Sequence, residues 1–156
     1  MKWKFIENKG IISEDNSRLE IYFGMARQDL RLKLNFDPNQ NKGRFDNEDS
    51  YGNALGRNGN WFRFAFSKHE DKLEGIEILA GTIDVCGVSV IANGGNLKET
   101  IKELEKKGFV FTKGDYSYTD FDHLVDIGDS EESGGDENQV CWFLTVVNFD
   151  YLKVKN

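Results

Sequence analysis

The chain has 156 residues, 38% hydrophobic and 13% aromatic, with twelve Phe, five Tyr, three Trp and a single Pro. That composition suits one domain, residues 1–156, which buries roughly two-thirds of its unfolded surface, and it excludes global disorder because apolar burial offsets conformational entropy. The net charge of −7 is local: residues 114–152 carry ten Asp/Glu and no Lys or Arg, leaving 17 acids against 20 bases elsewhere, so direct nucleic-acid binding is disfavoured by a surface that repels phosphate.

Taken in chain order, MKWKFIENKGII lacks the apolar core of a signal peptide, with extended segments expected at 2–6 and 18–23. MARQDLRLKL, 25–34, reads as a short helix with Leu30 and Leu34 on one face and Met25 and Ala26 nearby. A strand is expected near 44–46. In WFRFAF, 61–66, Phe62, Phe64 and Phe66 alternate with Trp61, Arg63 and Ala65, so one face is core. LEGIEILAG, 73–81, follows with Ile76 and Ile78 on one face and Glu77 on the other, and TIDVCGVSVIA reads as a third strand. NLKETIKELEKKG, 96–108, is the clearer helix. Asn96 caps it with Glu99 three residues on, Leu97, Ile101 and Leu104 form its apolar stripe, and Gly108 ends it. Strands follow near 109–112, 116–127 and 139–149; the last, QVCWFLTVVNF, is apolar on both faces and reads as central.

Each half thus runs helix and then about three strands. The expected class is α+β, a largely antiparallel meandering sheet with two helices on one face, built as two helix-plus-three-strand halves. No stretch approaches the roughly 18 apolar residues of a membrane-spanning helix. Cys86 and Cys141 lie far apart in apolar runs, without a CxxC and with only two His in the chain, so zinc spacing is absent. They read as reduced, buried core thiols, which suits a cytoplasmic location.

Function rests on the acidic stretch. Asp129, Glu131, Ser133 and Gly134 match positions 1, 3, 5 and 6 of a calcium loop, but Val140 stands where the bidentate Glu belongs. GDSEESGGDEN, 128–138, also fits a solvated hairpin loop. Strand alternation over 116–127 puts Phe121, His123, Val125 and Ile127 on the core side and Tyr116, Tyr118, Asp120, Asp122, Leu124 and Asp126 on the outer face. Tyrosines beside aspartates combine contact area with one sign of charge, the composition of a protein-binding patch for a basic partner. The candidate partner-binding residues are therefore Tyr116, Tyr118, Asp120, Asp122 and Asp126 with the loop acids Asp129, Glu131, Glu132, Asp136 and Glu137. His69 lies in a polar turn, and His123 reads as a core histidine bonded to backbone. No Ser-His-Asp, Cys-His or H-E-x-x-H grouping assembles, and GRNGN and NGGN are turn signals, so no catalytic residue, cofactor or metal is assigned.

The run LEIYFGMARQDLRLKL, 19–34, followed by WFRFAF and LEGIEILAGTIDVCG, 73–87, resembles small bacterial proteins with an I-x-F-G-M-x-R-x-D-L-R-x-x-L opening and a later x-E-x-I-E-x strand. Many such proteins resemble immunity proteins encoded beside polymorphic or contact-dependent growth-inhibition toxins. The resemblance implies a toxin inhibitor, not an enzyme, and carries over no functional residue, since such families share a scaffold rather than a site. It covers residues 19–87, and the acidic second half lies outside it. A nuclease toxin carries a basic cleft for phosphate, which an acidic protein meets by fast, steered association. The alternative is another intracellular acidic protein-binding module, an adaptor or chaperone, with a metal- or small-molecule-binding domain behind it. In either protein-binding reading the partner is a protein, and neither nucleic acid nor membrane.

Overall fold

The structure, a computed structural model, describes residues 2–15, 18–52, 60–129 and 138–149. Among these the chain runs β1 (Trp3–Ile6), β2 (Gly10–Ser13), β3 (Glu20–Tyr22), α1 (Arg27–Leu34), β4 (Glu48–Gly52), β5 (Trp61–Phe66), β6 (Leu73–Val85), β7 (Val88–Ala92), α2 (Leu97–Glu105), β8 (Thr112–Lys113), β9 (Ser117–Asp120), β10 (Val125–Asp129) and β11 (Val140–Val146). It is α+β: mostly sheet, with two helices, and the sheet is open and mixed.

The long β6 organises it. Its first part lies between β5 and β11, antiparallel to both; from Gly81 onward it pairs with β7, and at Ile83 and Asp84 it runs parallel to β1. Gly81 sits at φ +118°, where a side chain is strained, at the point where the strand exchanges partners. The main path is β3-β2-β1-β6-β11-β10-β9-β8, with β8 its terminal strand.

Alternation explains the core. Phe62, Phe64 and Phe66 are buried with Ile76, Ile78, Val125, Ile127 and Phe143, and each such side chain contributes roughly 1.5–3 kcal/mol of burial. β11 is interior, as its apolar run predicts: Val140 and Phe143 join the main core, while Leu144 and Val146 pack with Ala65 on the other face. Leu97, Ile101 and Leu104 of α2 enter the main core, as does Leu30 of α1. The Asn96 side chain accepts the Glu99 amide at 2.9 Å and Gly108 takes φ +99°, which bears out both expected ends of the second helix.

Two expected strands are hairpins instead. The segment 82–92 reverses at Cys86–Gly87, both left-handed (φ 53° and 87°), with the Asp84 carboxylate accepting the Gly87 amide at 2.8 Å. A two-residue turn preserves the period of two, so alternation cannot reveal it. Cys86 therefore sits exposed at a turn rather than in the core, and Cys141 is only half-buried. The segment 116–127 breaks at 121–124, where Leu124 takes φ 58°. The strand expected near 44–46 lies instead at Glu48–Gly52, and β2 was not expected at all.

Candidate functional site

The hairpin at 121–124 redistributes the candidate residues. Register pairs Val125 with Asp120 and Ile127 with Tyr118, so Tyr118 and Asp120 share the core-facing side with Val125 and Ile127. Asp120 is 1% exposed, and Asp126 and Asp129 are also buried, which corrects their assignment to an outer face. Phe121, expected in the core, is 60% exposed because it belongs to the turn. Tyr118 is half-buried against the core, with the Lys113 ammonium over its ring. Tyr116 and Asp122 are exposed, but they stand at opposite ends of β9, about 13 Å of strand apart. Glu131, Glu132, Asp136 and Glu137 lie outside the described residues.

The buried aspartates have structural duties. Asp120 Oδ1 accepts the amides of Asp122 (2.9 Å) and His123 (2.8 Å), and Oδ2 accepts the Val110 amide (2.8 Å) and meets His123 Nδ1 at 2.7 Å. Burial pushes this carboxyl up, but the amides of His123 and Val110 and the His123 ring together outweigh it, so it titrates below the usual range. His123 is thus held by a carboxylate rather than by backbone; its ring stacks on Phe109 at 4.1 Å and Nε2 lies 3.8 Å from Glu7. Asp126 accepts the Thr119 hydroxyl (2.7 Å) and the Trp142 indole N–H (3.1 Å). Trp142 lies over Gly128, where any Cβ would overlap the ring. At the far end the Asp129 amide donates to the Tyr116 carbonyl at 2.9 Å, which places Tyr116 at the root of the acidic segment.

A charge cluster between α1 and β4 went unread in the sequence. Arg27 and Arg31, one helical turn apart, converge on Asp49, itself 1% exposed, through contacts of 2.6 to 3.2 Å. Burial raises the Asp49 carboxyl, and the hydrogen bonds and charges of Arg31 and Arg27 more than reverse it, so it stays ionised. Arg44 grips buried Glu48 with two contacts of 2.9 and 3.0 Å. The signal available was the pair of arginines in R-x-x-x-R, both within the stretch that carries the resemblance; Asp49 had none, because its strand was misplaced. Arg27, Arg44, Asp46, His69, Asp71 and Glu74 are among the residues lining an open groove of about 1410 Å³ beside it. Its charges are mixed, and Arg27 is already spent on Asp49. Among the described residues no three His, Cys, Asp or Glu side chains gather as a metal site, no disulfide links the cysteines, and no helix is long and apolar enough to cross a membrane.

No protein-family model, curated protein or solved structure matches the chain.

Proposed function

We propose that this chain is an immunity protein that binds and neutralises a cognate toxin with a basic surface, a nuclease in the simplest case, in the cytoplasm where that toxin acts. Its scaffold, in this reading, is a largely antiparallel meander with both helices on one face, built as two helix-plus-strand halves. The observation that carries the proposal is the pairing of an exposed aromatic with a one-signed acidic region: Tyr116, 46% exposed, is tied through its carbonyl to Asp129. The segment that follows Asp129 reads SEESGGDE. Asp115 and Asp122 add exposed carboxylates at the two ends of β9. Acids without interspersed cations steer a basic partner and raise the association rate, while an aromatic supplies contact area. The contact set is smaller than the sequence implied, since Asp120 and Asp126 are occupied internally. The test is co-expression with the toxin domain encoded by the adjacent gene: the chain restores growth if the reading holds, and continued killing despite soluble expression of both proteins refutes it.

A further inference from the structure

Val110 is 72% exposed, Phe121 60% and Val147 37%, and Phe149 packs edge-on against the Phe121 ring at 5.3 Å. Isolated exposed apolar residues are ordinary, but these come from three separate chain segments and gather at one corner of the sheet. The corner is rigidly built. The Asp120 carboxylate takes the Val110 amide on one oxygen and the Asp122 and His123 amides on the other, so one buried group fastens the backbone carrying Val110 to the turn carrying Phe121. The Val146 amide donates to the Leu124 carbonyl at 3.2 Å, which ties the end of β11 to the same turn. Side chains held exposed on fixed backbone cost little ordering entropy when a partner covers them.

Charge selects the occupant. Residues 114–149 contain no Lys or Arg, and the lysines flanking Val110 are engaged elsewhere: Lys106 pairs with Glu103 at 3.0 Å, Lys107 reaches toward Gly87, and the Lys113 ammonium lies over the Tyr118 ring. Asp122, next to Phe121, is exposed, and its carboxylate has no partner among the described residues. Glu74, whose carbonyl accepts the Val147 amide at 3.0 Å, is half-buried with its carboxylate likewise unpartnered there. A second copy docked on this corner by its own corner would bring like charges together, and an anionic lipid surface would be repelled in the same way.

We propose that the corner formed by Val110, Phe121 and Phe149, bordered by Asp122 and pre-organised by Asp120, is the docking site for an apolar, positively charged surface of a protein partner. The partner is the toxin of the reading above, on which this inference rests. The site lies at the opposite end of β9 from Tyr116, so the interface spans the strand, with long-range steering at one end and apolar anchoring at the other.

The experiment immobilises the catalytically inactivated toxin domain of the adjacent gene and measures association and dissociation of the full chain. Compared with it are Val110→Ser, Phe121→Ser, their double variant, Asp122→Lys, and Leu32→Ser as a control at an apolar position of α1 that is 77% exposed. The two serine variants should each dissociate on the order of tenfold faster with unchanged melting temperature. Asp122→Lys should associate more slowly, and Leu32→Ser should match the wild type. A double variant that dissociates at the wild-type rate overturns the docking site while leaving the immunity reading intact. Failure of the wild type itself to bind overturns both. A dimer seen by sedimentation and lost in the double variant, with toxin dissociation unchanged, assigns the corner to a second copy and also overturns the proposal.

Discussion

Replacing Asp120 with alanine strips four hydrogen-bond donors of their acceptor at once: the amides of Val110, Asp122 and His123 and the His123 imidazole. The Asp122 and His123 amides lie in a surface turn, where water replaces part of what is lost. The Val110 amide and the imidazole are partly buried, and a donor left unsatisfied in such a place costs about 1–3 kcal/mol. Asp120→Ala should therefore lose about 2–4 kcal/mol, whereas Asp122→Ala, two residues away and exposed, should stay within about 0.5 kcal/mol. The assay is urea unfolding of both variants and the wild type, read as a shift in midpoint at constant slope. The pH dependence has a definite sign. The folded carboxyl titrates below its unfolded value, so its stabilisation is present above the unfolded pKa of roughly 3.9 and is lost as pH falls through the lower folded value. The gap between wild type and Asp120→Ala should accordingly narrow below about pH 4. An Asp120→Ala midpoint indistinguishable from that of Asp122→Ala would show that the carboxylate organises nothing.

Three further outcomes are expected. Asp49→Ala leaves the Arg27 and Arg31 guanidiniums facing each other without their shared anion; it should cost about 3 kcal/mol at neutral pH, with the difference shrinking in acid because the Asp49 carboxyl is held low, and urea unfolding at pH 7 and pH 3 checks both. Gly128→Ala drives a methyl group into the Trp142 ring; it should lose at least about 2 kcal/mol and red-shift the tryptophan emission, whereas a neutral result would mean that the indole moves freely. Thiol titration of the native protein should find Cys86 reacting before Cys141, but slowly at neutral pH, because burial and then the Glu7 and Asp84 charges raise its pKa. Equal reactivity of the two thiols contradicts that placement.

What the sequence disclosed was whatever a simple period encodes. WFRFAF, the apolar stripe of the second helix and the doubly apolar QVCWFLTVVNF all behave as their spacing requires, because a single burial pattern decides each of them. The acidic strand misled because a turn is invisible to alternation when its residues continue the pattern. Phe121, Asp122 and His123 look like strand positions, yet Asp120 folds their amides onto its own carboxylate. That local competition between a side chain and the ladder turned Asp120 inward and Phe121 outward. Asp126 shows the second limit: its alternate face is not solvent, because Trp142 from a strand 16 residues later closes over it. The Arg27–Arg31–Asp49 cluster depends on a helix meeting a strand across a loop, a tertiary fact with no periodic trace.

The most direct test of the central claim is the ionic-strength dependence of association with the toxin domain of the adjacent gene. If acidic steering toward a basic partner is the function, the association rate should fall steeply, on the order of tenfold or more between about 0.02 and 0.5 M salt. The dependence should flatten when Glu131, Glu132, Asp136 and Glu137 are reversed to Lys, while dissociation changes little; Asp129 is left in place because it is buried. An association rate insensitive to salt, or unchanged by those four reversals, would contradict the account.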